Sequence, residues 1–228
     1  MGLRVNRMTS RVTKVIWVVV AIALVVTWVI LERNERNLTA NRPPREPMQH
    51  LTSDVRPEVD ETPVSEEEAQ AWIVGEDRPR FLSIARLGIV NARVREVGLT
   101  ANGEVGTPVN IFDVAWYRYS AKPGSGSGAM LITGHNGGPT LDGVFKRLGE
   151  LAIGDEIVVE RGDGMMLRYR VVENRVVNME EAAIGMASMM RSAEPEWEGL
   201  NLITCTGQWV QSGQTFDHRV FLRAVLID

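Results

Sequence analysis

The sequence predicts a mainly β domain that closes as a barrel with short helices, preceded by an N-terminal transmembrane helix. One observation is an uninterrupted apolar run near the N-terminus, Val15–Leu31. The other is a series of short β-type segments from about Phe81 onwards, broken by Gly, Asn, Asp and Pro. A mostly β chain of roughly 148 residues with one core suits a closed barrel better than a two-layer α/β fold.

The apolar run Val15–Leu31 carries no charge, and a helix of this length spans about 25 Å, the short end of a membrane crossing. Trp17 and Trp28 lie near its ends, where indole rings favour the membrane interface. Segment 1–14 is basic, which favours a cytoplasmic N-terminus and an extracytoplasmic remainder. A cleaved signal peptide would need a small-x-small site, and Leu31–Asn37 offers none. A core helix is disfavoured because the run is apolar on every face.

Segment 32–80 is predicted to be an extracytoplasmic stem. Residues 32–64 combine charges of both signs with five prolines, so they cannot bury enough apolar surface to offset their ordering entropy. We therefore expect a disordered, partly extended stalk there. Ser65 and Glu68 have capping-box spacing, so a short helix is expected to begin there, either packed on the domain or ending the stalk.

Segment 81–228 is the predicted folded domain. Its strands are predicted at Phe81–Ala85, Ala129–Thr133, Glu156–Glu160, Met166–Glu173, Leu200–Cys205 and Arg219–Leu226. Leu167–Val171 alternates apolar and polar residues, and Arg161–Gly164 is a hairpin signal between two strands. Helices are predicted around Gly143–Leu151 and, after capping-box residues Asn178 and Glu181, over Glu180–Arg191.

Composition and charge narrow the classes of function. The chain is 44% hydrophobic and 24% charged with a formal net charge of −4, which gives no footprint for binding nucleic acid. It has one cysteine and no Cys/His cluster, so an intramolecular disulfide and a structural zinc site are excluded. Its scattered acids form no calcium-loop pattern; they include Asp142, Asp155, Asp163 and Glu173.

The lone cysteine, Cys205, ends an apolar run and is followed by Thr206-Gly207, so it lies where a strand opens into a loop. Composition alone favours a buried, inert thiol. A nucleophilic thiol needs a proton partner, because free cysteine is only a few per cent ionised near neutrality. His50 lies in the stem and His218 in the last strand region, whereas His135 directly follows a predicted strand and is preceded by glycine.

Acyl chemistry also requires donors for a developing oxyanion. Arg219 and Arg223 both lie in the last predicted strand. Positions four apart on a strand share a face, so alternation does not distinguish between the two arginines.

Together these segments resemble the sortases, the membrane-anchored cysteine transpeptidases of mainly Gram-positive bacteria. The resemblance covers about residues 81–228, and its motifs are Ile132–His135, Val144–Leu148, Gly154–Val158, Leu202–Cys205 and Arg219–Ala224. Further segments resemble the subgroup often called classes E and F: Val97–Gly103, Ala115–Tyr117 and Lys122–Gly124. No single motif is specific, but the ordered set of His, Cys and Arg at these spacings is.

The resemblance implies a sortase-like barrel as catalytic domain, with Cys205 as nucleophile, His135 as general acid/base and Arg219 as the substrate-orienting, oxyanion-stabilising group. Arg219 is preferred to Arg223 because it lies five residues before the alanine of the family motif. Thr204 occupies the family's threonine position and is expected to help shape the substrate site. No metal or organic cofactor is implied.

The implied reaction is cleavage of an LPXTG-like sorting signal through a thioacyl intermediate, with transfer to an amine of a peptidoglycan precursor or a pilin. Segments Asn136–Gly143, Thr206–Trp209 and Asn178–Trp197 depart from better-known classes and leave the recognition sequence open. Two alternatives remain. One is a membrane-tethered peptidase that uses the same residues for hydrolysis. The other is a non-enzymatic β-domain that binds a wall or protein ligand and keeps its thiol inert.

Overall fold

Eight strands form a closed barrel in residues 59–227, the part of the chain that the computed structural model describes. They are β1 (Pro79–Ile84), β2 (Ile89–Val97), β3 (Val114–Tyr117), β4 (Ala129–Gly134), β5 (Glu156–Arg161), β6 (Met166–Asn178), β7 (Gly199–Val210) and β8 (Thr215–Leu226). Around the barrel the order is β1-β2-β3-β4-β7-β8-β6-β5, and β5 pairs with β1. Closure leaves no free sheet edge, and the predicted barrel is confirmed.

Two short helices accompany the strands, α1 (Glu66–Gln70) and α2 (Met179–Met189). Each begins with its predicted capping box, formed by Ser65 with Glu68 and by Asn178 with Glu181. The side-chain oxygen of each cap accepts the backbone N–H three residues on, which satisfies a donor that the first helical turn leaves unpaired.

The helix predicted around Gly143–Leu151 is wrong. Only a 3₁₀ turn, Leu148–Glu150, occurs in that region. The segment is instead tied to the loop that precedes it, because Phe145 N donates to His135 O at 2.9 Å. This long-range bond holds Phe145 against the end of β4 in place of the i→i−4 bond of a helix.

The sheet formed by β4, β7 and β8 is buried on both faces. Its inward-facing residues belong to the barrel core: Met130, Ile132, Leu200, Leu202 and Leu222. Its outward-facing residues form a second apolar cluster with α2: Leu131, Ile203 and Phe221. Burial on both faces explains why these strands have continuous apolar runs instead of an alternating pattern.

The segment before β1 packs on the barrel. Asp60 forms a parallel bridge with Asn110, and Arg80 Nε donates to the carbonyl of Trp72 at 2.8 Å. The guanidinium of Arg95 lies over the Trp72 ring, 4.2 Å from its centroid. Part of the predicted stem is therefore held against the domain. The predicted span and the rest of the stem lie outside the described residues. Within residues 59–227, no helix is long and apolar enough to cross a membrane.

Candidate active site

Cys205 and Arg219 face each other across two neighbouring strands. Cys205 lies in β7 and Arg219 in β8, and the antiparallel register pairs them directly. Directly opposed residues have Cβ atoms about 4.5–5.5 Å apart and project from the same face. A short 3₁₀ turn, Gln211–Gly213, joins the strands, so residues fourteen positions apart in sequence become neighbours.

His135 is brought to the same place by the parallel pairing of β4 with β7. The recorded pairs end at Thr133 with Ile203, and a constant offset places His135 beside Cys205. The two strands are still in contact at that point, because Thr204 Oγ1 donates to the Gly134 carbonyl at 2.8 Å. Continuing this register one position past Gly134, the last residue of β4, puts His135 in the same row as Cys205, although seventy residues separate them in sequence.

Strand alternation places the side chains of Cys205 and Arg219 on the outer face of the barrel. Cys205 follows Ile203 by two positions on β7, and Arg219 precedes Phe221 by two on β8. Ile203 and Phe221 pack beneath α2. The candidate site therefore begins at the next outward-facing positions, which lie beyond the part of the sheet that α2 covers. Thr204, by contrast, is only 3% exposed. The described contact of Thr204 therefore aligns β7 with the end of β4, and a direct contact with substrate stays a prediction.

The His135 ring is oriented by a backbone carbonyl. Its Nε2 lies 2.7 Å from the Pro108 oxygen. A carbonyl can only accept, so Nε2 carries the proton, and in the neutral ring Nδ1 is the nitrogen that can accept one. The backbone is equally constrained, because a Cβ on Gly134 would lie 2.5 Å from the Phe145 ring. The glycine before His135 thus permits close packing that any other residue would prevent.

Cys205 and His135 are both uncharged near neutral pH. Burial raises the pKa of the Cys205 thiol, while the charge of Arg219 and a hydrogen bond from Thr215 lower it in part. The nearby carboxylate of Glu104 adds to the rise in pKa. Burial also lowers the pKa of His135, against the opposing effect of the Pro108 hydrogen bond. Near neutral pH the site therefore contains a thiol and an uncharged imidazole, and the thiolate–imidazolium pair is a minor form.

Thr215 is a site residue that the sequence reasoning missed. Its Oγ1 accepts a 2.9 Å hydrogen bond from Arg219 Nη2, and its hydroxyl also interacts with the Cys205 thiol. It precedes Arg219 by four positions on β8, so strand alternation places the two on one face. That spacing was the available signal, but it has meaning only once Arg219 is known to face Cys205.

The remaining Arg219 contacts are to backbone carbonyls. Nη1 donates to Phe216 O at 2.8 Å and to His218 O at 2.9 Å. Together with the Thr215 bond these occupy three of the five N–H donors of a guanidinium. Within residues 59–227 Arg219 makes no further hydrogen bond, so two donors remain for a ligand. The side chain is therefore both oriented by the protein and able to bind an anion.

The alternative residues lie elsewhere. Arg223 is bound by Glu173 Oε2 at 3.3 Å and by the Arg191 carbonyl at 3.2 Å. It pairs in register with Asn201, four residues from Cys205, or about 13 Å along the strand. His218 is the residue before Arg219 on β8, so alternation projects it from the opposite face. Its Nδ1 lies 2.8 Å from Asp217 Oδ1. His50 lies outside the described residues.

The described part of the chain contains no cluster of side chains suited to binding a metal ion. Within residues 59–227, no group of three or more His, Cys, Asp or Glu side chains could hold a metal ion. The chemistry available at the site is that of a thiol, an imidazole and a guanidinium.

We expect the rate of Cys205 alkylation to depend on pH in a way that reflects the partly buried position of the thiol. The thiolate is the reactive form, and burial raises the pKa, so the rate with iodoacetamide should keep rising above the ordinary pKa of a cysteine thiol. A rate that levels off near pH 7 would contradict this prediction, because it would mean that an ion pair forms at rest. Glutathione under the same conditions supplies the comparison.

The chain is similar to one described family and to several solved structures. The family model described as the Sortase domain matches residues 82–227. Among solved structures, a pilus-related sortase C of Group B Streptococcus has 19% identity and a TM-score of 0.49, covering 73% of this chain and 75% of its own. A Clostridium perfringens sortase D5 transpeptidase has 22% identity, a TM-score of 0.47, and coverage of 72% and 89%. Sortase A from Corynebacterium diphtheriae has 21% identity, a TM-score of 0.48, and coverage of 72% and 70%. No curated protein matches significantly.

Proposed function

The chain belongs to the sortase family of cysteine transpeptidases, and from that premise we propose that it uses Cys205, His135 and Arg219 to transfer a sorting signal to an amine. The observation that carries the proposal is the register of β7 with β8 and with β4, the strand that His135 directly follows. The β7–β8 register sets Cys205 opposite Arg219, and the parallel β4–β7 pairing brings His135 alongside. The pairing of strands in the barrel brings together residues that are far apart in sequence.

In the first step, Cys205 Sγ attacks the carbonyl carbon of the threonine in an LPXTG-like signal. The thiol proton passes to His135 Nδ1, since Nε2 is already bonded to the Pro108 carbonyl. His135 then returns that proton to the leaving amine as the peptide C–N bond breaks. The product is a thioester between Cys205 and the threonine, and the imidazole is neutral again.

Arg219 would stabilise the negative charge that develops on the carbonyl oxygen. Its guanidinium is held by Thr215, Phe216 and His218, so little reorganisation is needed when charge appears. Preorganised donors of this kind are effective because their orientation is established before the reaction.

In the second step, an incoming primary amine attacks the thioester carbon and gives up its proton through His135. The C–S bond breaks, an amide forms and the thiol is regenerated. Water in place of the amine would make the enzyme a peptidase. Transfer therefore depends on the amine reaching the thioester ahead of water.

We propose that this reaction takes place at the outer surface of the membrane. The support is the apolar run Val15–Leu31 and the basic segment before it. Surface proteins bearing LPXTG-like signals would be the donors, and a peptidoglycan precursor or a pilin would supply the amine. The likeness to classes E and F stays a prediction about the subgroup.

The proposal is tested with the full-length chain in detergent, an LPXTG-type peptide and a primary amine, with products identified by mass. An amide-linked product is the expected result. Cleavage without transfer would indicate a peptidase. Absence of turnover, together with a Cys205 that resists thiol reagents, would favour the non-enzymatic β-domain.

Replacing Arg219 with lysine should lower kcat by about 10²–10³-fold, the usual effect of losing an oxyanion donor. Lysine keeps the charge but lacks the planar fork that binds Thr215 and the two carbonyls while donating to a ligand. Arg223→Lys is the matched control, because that arginine is bound to Glu173 away from Cys205. Equal losses in the two variants would exclude a specific role for Arg219.

A further inference from the structure

We propose that Asp60 and Glu61, here named the N-terminal strap, position His135 for catalysis by holding the two loops on either side of its imidazole. This inference rests on the proposed function of His135 as general acid/base. It assigns a positioning role to a segment that the sequence places in the stem, far from the catalytic motifs.

The side chain of Glu61 binds the loop that follows His135. Its Oε1 accepts hydrogen bonds from Thr140 N at 2.8 Å and from Leu141 N at 2.9 Å. Its Oε2 accepts a third from Thr140 Oγ1 at 2.5 Å. A carboxylate that accepts three such bonds forms charge-assisted contacts, which are stronger than those between neutral groups.

The loop is shaped to receive this carboxylate. A Cβ on Gly138 would lie 2.3 Å from Glu61 Oε1, so only glycine admits the side chain at this position. Gly137 forms a bridge with Asp142, which folds the loop back on itself. Gly143 then approaches the His135 carbonyl so closely that a Cβ there would lie 2.4 Å from the oxygen. Glu61 therefore holds a short, tightly packed loop whose other end lies against the backbone of His135.

Asp60 binds the loop on the other side of the imidazole. Its N–H donates to Val109 O and its carbonyl accepts from Ile111 N, both at 2.9 Å. Its Oδ2 accepts from Asn110 Nδ2 at 3.0 Å. The residue before Val109 is Pro108, whose carbonyl holds His135 Nε2. Asp60 thus aligns the segment that orients the imidazole ring.

Adjacent residues of the strap therefore act on His135 indirectly, Glu61 through the loop next to its backbone and Asp60 through the segment that binds its ring. The contacts of Asp60 are made mainly by backbone groups in a ladder, whereas those of Glu61 are made by its side chain. The side-chain contacts can be removed without changing the backbone ladder. Displacing a reacting group by about 1 Å can cost around 10²-fold in rate, so a strap of this kind would affect turnover without contacting the substrate.

The test uses three variants of the full-length chain: Glu61→Ala, Glu61→Gln and Glu67→Ala. Alanine removes the three hydrogen bonds described above together with every other contact of the Glu61 carboxylate, whereas glutamine keeps the shape and the oxygen that accepts from the two amides. Glu67 is an exposed acid in α1 and serves as the matched control for loss of one negative charge. Each variant is first checked for an unchanged thermal unfolding midpoint.

For Glu61→Ala we expect faster hydrogen exchange at the Thr140 and Leu141 amides and a roughly tenfold or greater loss of kcat, with the KM for the signal peptide unchanged. The NMR titration of the His135 ring should move up towards the ordinary value for imidazole, because a loosened loop admits water. Glu61→Gln should stay within about threefold of the wild type, and Glu67→Ala should match it.

Faster exchange with an unchanged His135 titration would overturn the proposal, since Glu61 would then support only the loop. An equal effect of Glu67→Ala would overturn it as well. The exchange and titration measurements need no substrate, so they remain informative if the wild-type chain transfers nothing. In that case the proposed function fails, while the role of the strap is still tested by amide exchange and by the titration of the His135 ring.

Discussion

Cys205→Ala is expected to abolish amide-bond formation and the covalent peptide adduct together. The thiol is the single cysteine of the chain, so no neighbouring sulfur could substitute for it. Loss of a nucleophile that works as a unit with its base typically costs about 10⁴-fold or more in kcat. The measurement is product formation by mass spectrometry, together with a search for the thioester-linked enzyme in the wild type.

Stability should be nearly unaffected, which makes the Cys205 result interpretable. The side chain is half-buried at the end of the apolar cluster beneath α2, and its removal leaves no buried charge unpaired. Thr206→Ala, one position further along β7 and on the opposite face, is the matched control and should retain activity. Residual transfer by Cys205→Ala at more than a few per cent of the wild-type rate would show that another group acts as nucleophile.

Much of the barrel could be predicted because strand and turn signals are local. All six predicted strands occur, with ends displaced by a few residues, and the hairpin predicted at Arg161–Gly164 joins β5 to β6. Two strands are missing from the prediction, β2 and β3, and β2 contains Arg93 and Arg95. Arg93 is 8% exposed because its guanidinium binds the buried carboxylate of Asp113, 2.7 Å from Nε to Oδ1. A strand that contains a buried arginine does not look apolar in the sequence. Its ion-pair partner, Asp113, lies twenty positions away, so the sequence does not show that the arginine is paired.

The site was predictable only in part, for a related reason. Cys205, His135 and Arg219 stand in motifs that resemble those of the sortases, and that resemblance implies their chemistry. The groups that orient them do not, because Pro108 acts through a carbonyl and Glu61 comes from a segment that reads as stem. Thr215 shares a face with Arg219 through strand periodicity, which becomes useful only when the strand and its register are known. Long-range contacts of this kind depend on the closed topology of the barrel, not on local pattern.

His135→Ala is expected to lower kcat/KM by about 10²–10⁴-fold, the usual contribution of a positioned general acid/base. The reason is specific to the leaving group, since an amine anion cannot depart unless it is protonated. His218→Ala is the matched control, because His218 projects from the other face of β8 and is paired with Asp217. Added imidazole should restore part of the activity of His135→Ala and none of that of Cys205→Ala.

The pH dependence separates a proton-transfer role from a structural one. Burial lowers the pKa of His135 and raises that of Cys205, so kcat/KM of the wild type should be bell-shaped with a wide plateau. Activity should fall on the acid side only below the ordinary pKa of imidazole, and on the alkaline side only above that of a free thiol. The same limbs arise whether the neutral pair or the minor ion pair reacts, because both contain one proton. In His135→Ala the fall in activity set by His135 should disappear, and the residual rate should instead rise with pH as the Cys205 thiol ionises. If the bell-shaped profile of the wild type persisted in this variant, its proton would belong to another group, and His135 would act through packing alone.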